Sequence, residues 1–171
     1  MWRLRAMAEY RASERTWFGT LTYRPEVQYQ AKLHAAHRLG TYWQNASEAD
    51  FFRLHDSALH EHVKRYFKRL RKNSGKNIRY LLVTEAHKSG DPHHHLLVHS
   101  TANLTWRNVT DPWVEHDIGH CKFVLADDKS AIYVCKYLTK SILSRIRSSN
   151  DYGNNQLVNS EETGPIKRPR L

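Results

Sequence analysis

Residues 78–99 constrain this chain more than any other stretch: two strand-like runs, IRYLLVTEA and HHHLLVH, flank a Lys-Ser-Gly-Asp-Pro junction. Branched and aromatic side chains favour extended backbone, and Gly90 and Pro92 punctuate the junction, so a β-hairpin is expected there. Within the second run, His93 and His95 stand two residues apart. On a strand their imidazoles leave the same face with Cα atoms about 6 to 7 Å apart, close enough to chelate one ion. His94 points the other way, with Leu96 and Val98, and either packs or meets solvent.

The flanking sequence supplies partners for that hairpin. Residues 16–23 (TWFGTLTY) read as a strand ended by Pro25, and residues 118–125 (IGHCKFVL) as another. Residues 26–71 read as a long helical stretch. Ser47 and Asp50 are its capping candidates, Phe51, Leu54, Ala58, Val63, Phe67 and Leu70 recur at roughly helical spacing, and Gly75 closes it. Residues 2–15 form a helix or arm. A polar linker with Trp106, Pro112 and Trp113 precedes the last expected strand, and residues 127–148 read as a helix capped near Asp127 or Asp128. This order predicts an α+β domain: a central antiparallel sheet of about four to five strands with packed helices. The domain is expected over residues 1–147. Residues 148–171, which end in PIKRPRL, have the composition of a flexible tail or linker.

Charge narrows the partner. The 171 residues carry 27 Lys and Arg against 17 Asp and Glu, a net +10, which favours polyanions through counterion release. No apolar run approaches the length of a membrane span, so nucleic acid leads and membrane is not expected. Cys121 and Cys135 are isolated and read as buried thiols, which suits a reduced compartment and a cytoplasmic location. The Lys and Arg run between Lys64 and Lys76 is either a phosphate-binding stripe or the solvated face of an amphipathic helix. Arg24, Arg79, Lys122 and Lys129 are candidate DNA contacts. Trp17, Trp106 and Trp113 serve either base stacking or the core. The pairs His60 and His62, His116 and His120, and His34 and His37 read as surface histidines.

A divalent ion needs more than two ligands, and Glu85 is the nearest carboxylate a hairpin can bring alongside His93 and His95, with His87 as a fallback. Two imidazoles and one carboxylate leave positions open for water and a phosphate oxygen, which suits Mg²⁺ or Mn²⁺ acting on a phosphodiester. Farther on, YVCKYLTK sets Tyr133 and Tyr137 four residues apart, each followed three residues later by a lysine, Lys136 and Lys140. On a helix these phenols and ammoniums share a face. A phenol with an ordinary pKa of about 10 attacks phosphorus only with help, and neighbouring positive charge supplies some. The same spacing also fits an ordinary amphipathic helix whose tyrosines rim a core.

Taken together, PHHHLL followed by YVCKYLTK resembles the HUH endonuclease superfamily, whose metal motif is His, hydrophobic residue, His and whose nucleophile motif is YxxK. His94 stands where the family has the hydrophobe. The paired-tyrosine form resembles the replication initiators of microviruses and related single-stranded DNA phages, and TWFGTLTY resembles the family's first motif. The resemblance implies a ferredoxin-like or RRM-like core. It implies Tyr133 and Tyr137 as nucleophiles, Lys136 and Lys140 as phosphate-positioning or acid-base groups, and His93, His95 and Glu85 as metal ligands. The implied activity is nicking of single-stranded origin DNA through a 5′-phosphotyrosine, leaving a 3′-OH for a polymerase. GxxxxGK[ST] is absent, so unwinding is expected from a host helicase or another domain. A transposase or relaxase of the same superfamily, and a non-catalytic basic DNA-binding module, are the alternative readings.

Overall fold

The computed structural model describes residues 1–101, 103–136 and 143–154. Its centre is a five-stranded sheet in the order β4-β1-β3-β2-β5, built from β1 (Arg15–Leu21), β2 (Ile78–Ala86), β3 (Pro92–Ser100), β4 (Cys121–Leu125) and β5 (Ser144–Ser148). Every pairing is antiparallel. The expected α+β class and the expected hairpin are both present, with Gly90 at a positive φ of 83° in the turn between β2 and β3.

Because strand side chains alternate, the sheet has two faces. Trp17, Leu21, Ile78, Leu82, Leu96 and Val98 share a core with Leu59, Val63, Tyr66, Phe67 and Leu70 of α3 (Glu48–Ser74). Burial of these large apolar side chains is the dominant favourable term holding the layers together. Leu81, Val83 and Leu97 point to the opposite face, where they pack with Ala6 of α1 (Trp2–Ala12), Val134, Cys135 and Tyr152. α5 (Asp128–Tyr133) also lies on this side, in contact with α1.

The long helical stretch is two helices. α2 (Pro25–Leu39) starts on Pro25, whose missing N–H costs nothing at a first helical turn, and stops at Gly40 with φ 57°. After a short 3₁₀ turn, Ser47 caps α3 by accepting from the Asp50 N–H at 3.1 Å, and Gly75 ends it in the left-handed region with φ 61°.

Three expectations need correction. The supposed linker around Trp106 is a helix, α4 (Trp106–Val114): Thr105 and Asn108 form a capping box, and Trp113 is fully buried. The helix expected over residues 127–148 is not continuous. α5 ends at Tyr133, a 3₁₀ turn covers Val134–Lys136, and Ser144–Ser148 (SRIRS) is the edge strand β5 on β2. The expected tail also begins later than residue 148. Tyr152 is buried with its hydroxyl 2.7 Å from His99 Nε2, and the Gly153 N–H donates to Glu9. Among the described residues no helix is long and apolar enough to cross a membrane.

Candidate functional site

The α1/α5 face of the sheet collects the chemistry. Register sets Glu85 beside His93 across β2 and β3, and the row below it runs Val83, His95, Thr20, Lys122 across four strands. His93 Nε2 and His95 Nε2 approach to 3.1 Å, and His95 Nε2 lies 3.6 Å from a Glu85 carboxylate oxygen. One ligand atom from each of the three residues falls within 4.8 Å of the others.

Those distances suit one ion. With metal–ligand bonds of about 2.1 Å, two adjacent ligands at right angles sit about 3.0 Å apart. Two facing imidazole nitrogens otherwise share a single proton at best, so a cation between them satisfies both. The imidazoles are also in a receptive state: burial, helped by the charge of His87, pushes His93 below its ordinary range, and a neutral imidazole is the ligating form. Thr20 Oγ1 lies 3.2 Å from His95 Nδ1, fixing the ring from its far side as second partners of metal-binding histidines do. His87 stands with its ring 5.7 Å from that of His93, adjacent to the three-residue cluster.

Tyr133 reaches the same face. Its ring meets Phe18 edge to face at 6.1 Å, and Phe18 in turn stacks on His95 at 6.4 Å, so one aromatic ring separates the tyrosine from the cluster. Tyr133 is 43% exposed, enough for a large substrate to approach it. The Lys136 ammonium lies 5.3 Å from the Tyr133 ring centre, over its face, which keeps a positive charge beside the phenol. Tyr137 and Lys140 lie outside the described residues. The segment that carries them leaves from Lys136 and returns at Leu143, whose carbonyl accepts from the Ala86 N–H next to Glu85.

The candidate DNA contacts divide. Lys122 is exposed in the same cross-strand row as His95, and Lys129 is exposed on α5. Arg24 is at the start of α2, paired at the surface with Asp117 through a 2.8 Å hydrogen bond. Arg79 is a correction: its guanidinium makes bonds of 2.8 and 2.9 Å to the buried Glu9 carboxylate and donates to the Asp151 carbonyl, so it is committed internally. Trp17 and Trp113 belong to the core, whereas Trp106 is 54% exposed.

Behind the cluster, on the α3 face, lies a network the sequence did not announce. His94 is fully buried, with Tyr23 Oη 2.5 Å from Nε2 and Thr84 Oγ1 2.9 Å from Nδ1. Burial pushes its pKa down to about 3, so it is a neutral structural histidine. Arg147 of β5 donates to Thr84 at 3.2 Å and pairs with Asp56, which Arg145 also meets at 3.1 Å. Burial alone would raise the Asp56 carboxyl, but the hydrogen bond and charge of Arg147, with His94 and Arg145, hold it below the ordinary range. Only the alternation of Arg145, Ile146 and Arg147 hints at this strand in the sequence.

No curated protein and no solved structure matches this chain significantly. A family model does: replication-associated protein ORF2/gene II protein matches residues 16–142, a span that runs from β1 through the histidine-bearing hairpin to the tyrosine segment. Matched over well more than half its length, the chain belongs to the replication-associated protein family of the ORF2/gene II protein type.

Proposed function

We propose that this protein is a nicking and joining endonuclease that initiates rolling-circle replication on single-stranded DNA. The observation that carries the reading is the convergence of Glu85, His93 and His95 on one sheet face, one ring away from Tyr133. Glu85, His93 and His95 would hold Mg²⁺ or Mn²⁺, which supplies Lewis-acid polarisation of a backbone phosphate. Tyr133 or Tyr137 attacks that phosphorus. A tyrosine–phosphorus bond forms as the bond to the 3′ oxygen breaks, and the leaving oxygen takes up a proton to become a 3′-OH. The phosphoester energy is kept in the 5′-phosphotyrosine for later rejoining. Lys136 holds positive charge beside the Tyr133 phenol, and Lys140 is assigned the same task for Tyr137. Lys122 and Lys129 bind the strand's phosphates, with Arg24 at the α2 end. A polymerase extends the freed 3′-OH and a host helicase opens the duplex, which places the work in the cytoplasm of the host cell.

The test is a denaturing gel of the protein incubated with labelled single-stranded oligonucleotides tiled across the replicon that encodes it. A protein-linked band that needs Mn²⁺, disappears in EDTA and is lost in the Tyr133→Phe, Tyr137→Phe double variant is the expected result. Binding to the same oligonucleotides without any linked band would favour a non-catalytic DNA-binding module instead.

A further inference from the structure

Beside the metal cluster, over the ends of β1 and β3, lies a cavity of about 600 Å³. Its wall includes Thr22, Gln28, Tyr29, Lys32, His87 and the metal-ligand candidate His93. The volume falls in the range of sites that take small organic groups. α2 supplies most of this wall and is tied to the hairpin: Gln28 Nε2 donates to the Pro92 carbonyl at 2.9 Å, one residue before His93. The cavity is thereby held in fixed relation to the ion site.

Its chemistry points to a flat, partly polar ring. Tyr29 is 59% exposed, a high value for a tyrosine on a cavity wall. Gln28 Oε1 is buried with no hydrogen-bond partner, an acceptor whose cost falls when a donor enters. Lys32 neutralises Asp91 across a 2.6 Å ion pair, so a phosphate passing this edge meets no bare carboxylate.

We propose that this cavity receives an unpaired base of the bound DNA strand, stacked on Tyr29, next to the phosphate held at Glu85, His93 and His95. This assignment rests on the nuclease reading for the identity of the strand. A single strand has base faces without partners, and an exposed aromatic ring beside a cationic edge is the usual platform for them. One base seated here would fix the register of the strand, and with it which phosphate reaches the cluster. Tyr29 is then a positioning residue for the cut.

The test measures binding by fluorescence anisotropy in EDTA, so that nothing depends on metal or cleavage. The full chain is titrated onto labelled oligo-dT and single-stranded oligonucleotides tiled from its replicon, and the tightest binder is scanned with abasic sites. Wild type should lose about tenfold in affinity at one position. Tyr29→Ala should lose about tenfold on the intact strand and nothing further from that same lesion, while Tyr29→Trp stays near wild type. Unchanged binding by Tyr29→Ala, lesion penalties that remain additive with it at every position, or no binding by wild type to any strand would overturn the proposal. Covalent joining with Mn²⁺ is scored separately. A protein that stacks a base but never joins DNA keeps the pocket and loses the nuclease reading.

Discussion

Three consecutive histidines on β3 meet two different environments. On the α1/α5 face, His93 and His95 turn their Nε2 atoms toward each other and toward Glu85. On the α3 face, His94 has both ring nitrogens within hydrogen-bond reach of Tyr23 and Thr84 and no exposed surface. Residue type is the same; strand alternation decides the outcome. One face gathers ligand atoms around a point that an ion can occupy, and the other surrounds His94 with hydroxyl partners. Function gathers where the fold leaves its polar groups poised, and stability where it pairs them.

That contrast can be broken from the structural side first. Asp56→Ala leaves Arg145 and Arg147 without their shared carboxylate, and breaking a buried pair of this kind costs about 3 to 5 kcal/mol. Chemical denaturation should show that loss, whereas Glu85→Gln, which removes a charge from the poised face, should leave the unfolding midpoint nearly unchanged.

Acid probes buried histidines on both faces. Burial pushes His55 and His99 down to about 4, while the unfolded chain titrates them near 6.5. Below pH 6.5 the unfolded state therefore binds more protons than the native state, and stability falls as pH drops toward 4. Thermal melts should be flat above pH 7 and lose about 3 kcal/mol between pH 7 and pH 5. His99→Gln should shallow that slope by about one proton.

The smallest effect belongs to the support of the poised face. Thr20→Val removes the group beside His95 Nδ1 without touching a ligand, and the loss of such an outer partner weakens metal binding by about tenfold. Calorimetric Mn²⁺ titration should show this with the melting temperature held within a few degrees. An unchanged affinity would mean that Thr20 does not orient the ring.

These differences explain what the sequence discloses and what it hides. The hairpin, the histidine parity and the nearness of Glu85 follow from period-two patterning and a short turn, which are local, and all three are present. α4 is obscured because Pro112 and two tryptophans resemble a linker, while its signal is the modest pair Thr105 and Asn108. β5 is hidden by the helical look of the residues before it, and its partner β2 lies far back in the chain. Arg79 resembles a DNA contact in sequence, yet Glu9, seventy residues earlier, holds it. Thr20 and Phe18 acquire their places beside His95 only through cross-strand register, which no local pattern encodes.

The sidedness of the histidine run is tested most directly by Mn²⁺ binding to the full-length chain, followed by electron paramagnetic resonance of the free ion. Wild type should bind one ion, His95→Gln should lose it, and folded His94→Gln should retain it even though its melting temperature falls. Retention of the ion by His95→Gln, or its loss from a folded His94→Gln protein, would contradict the account.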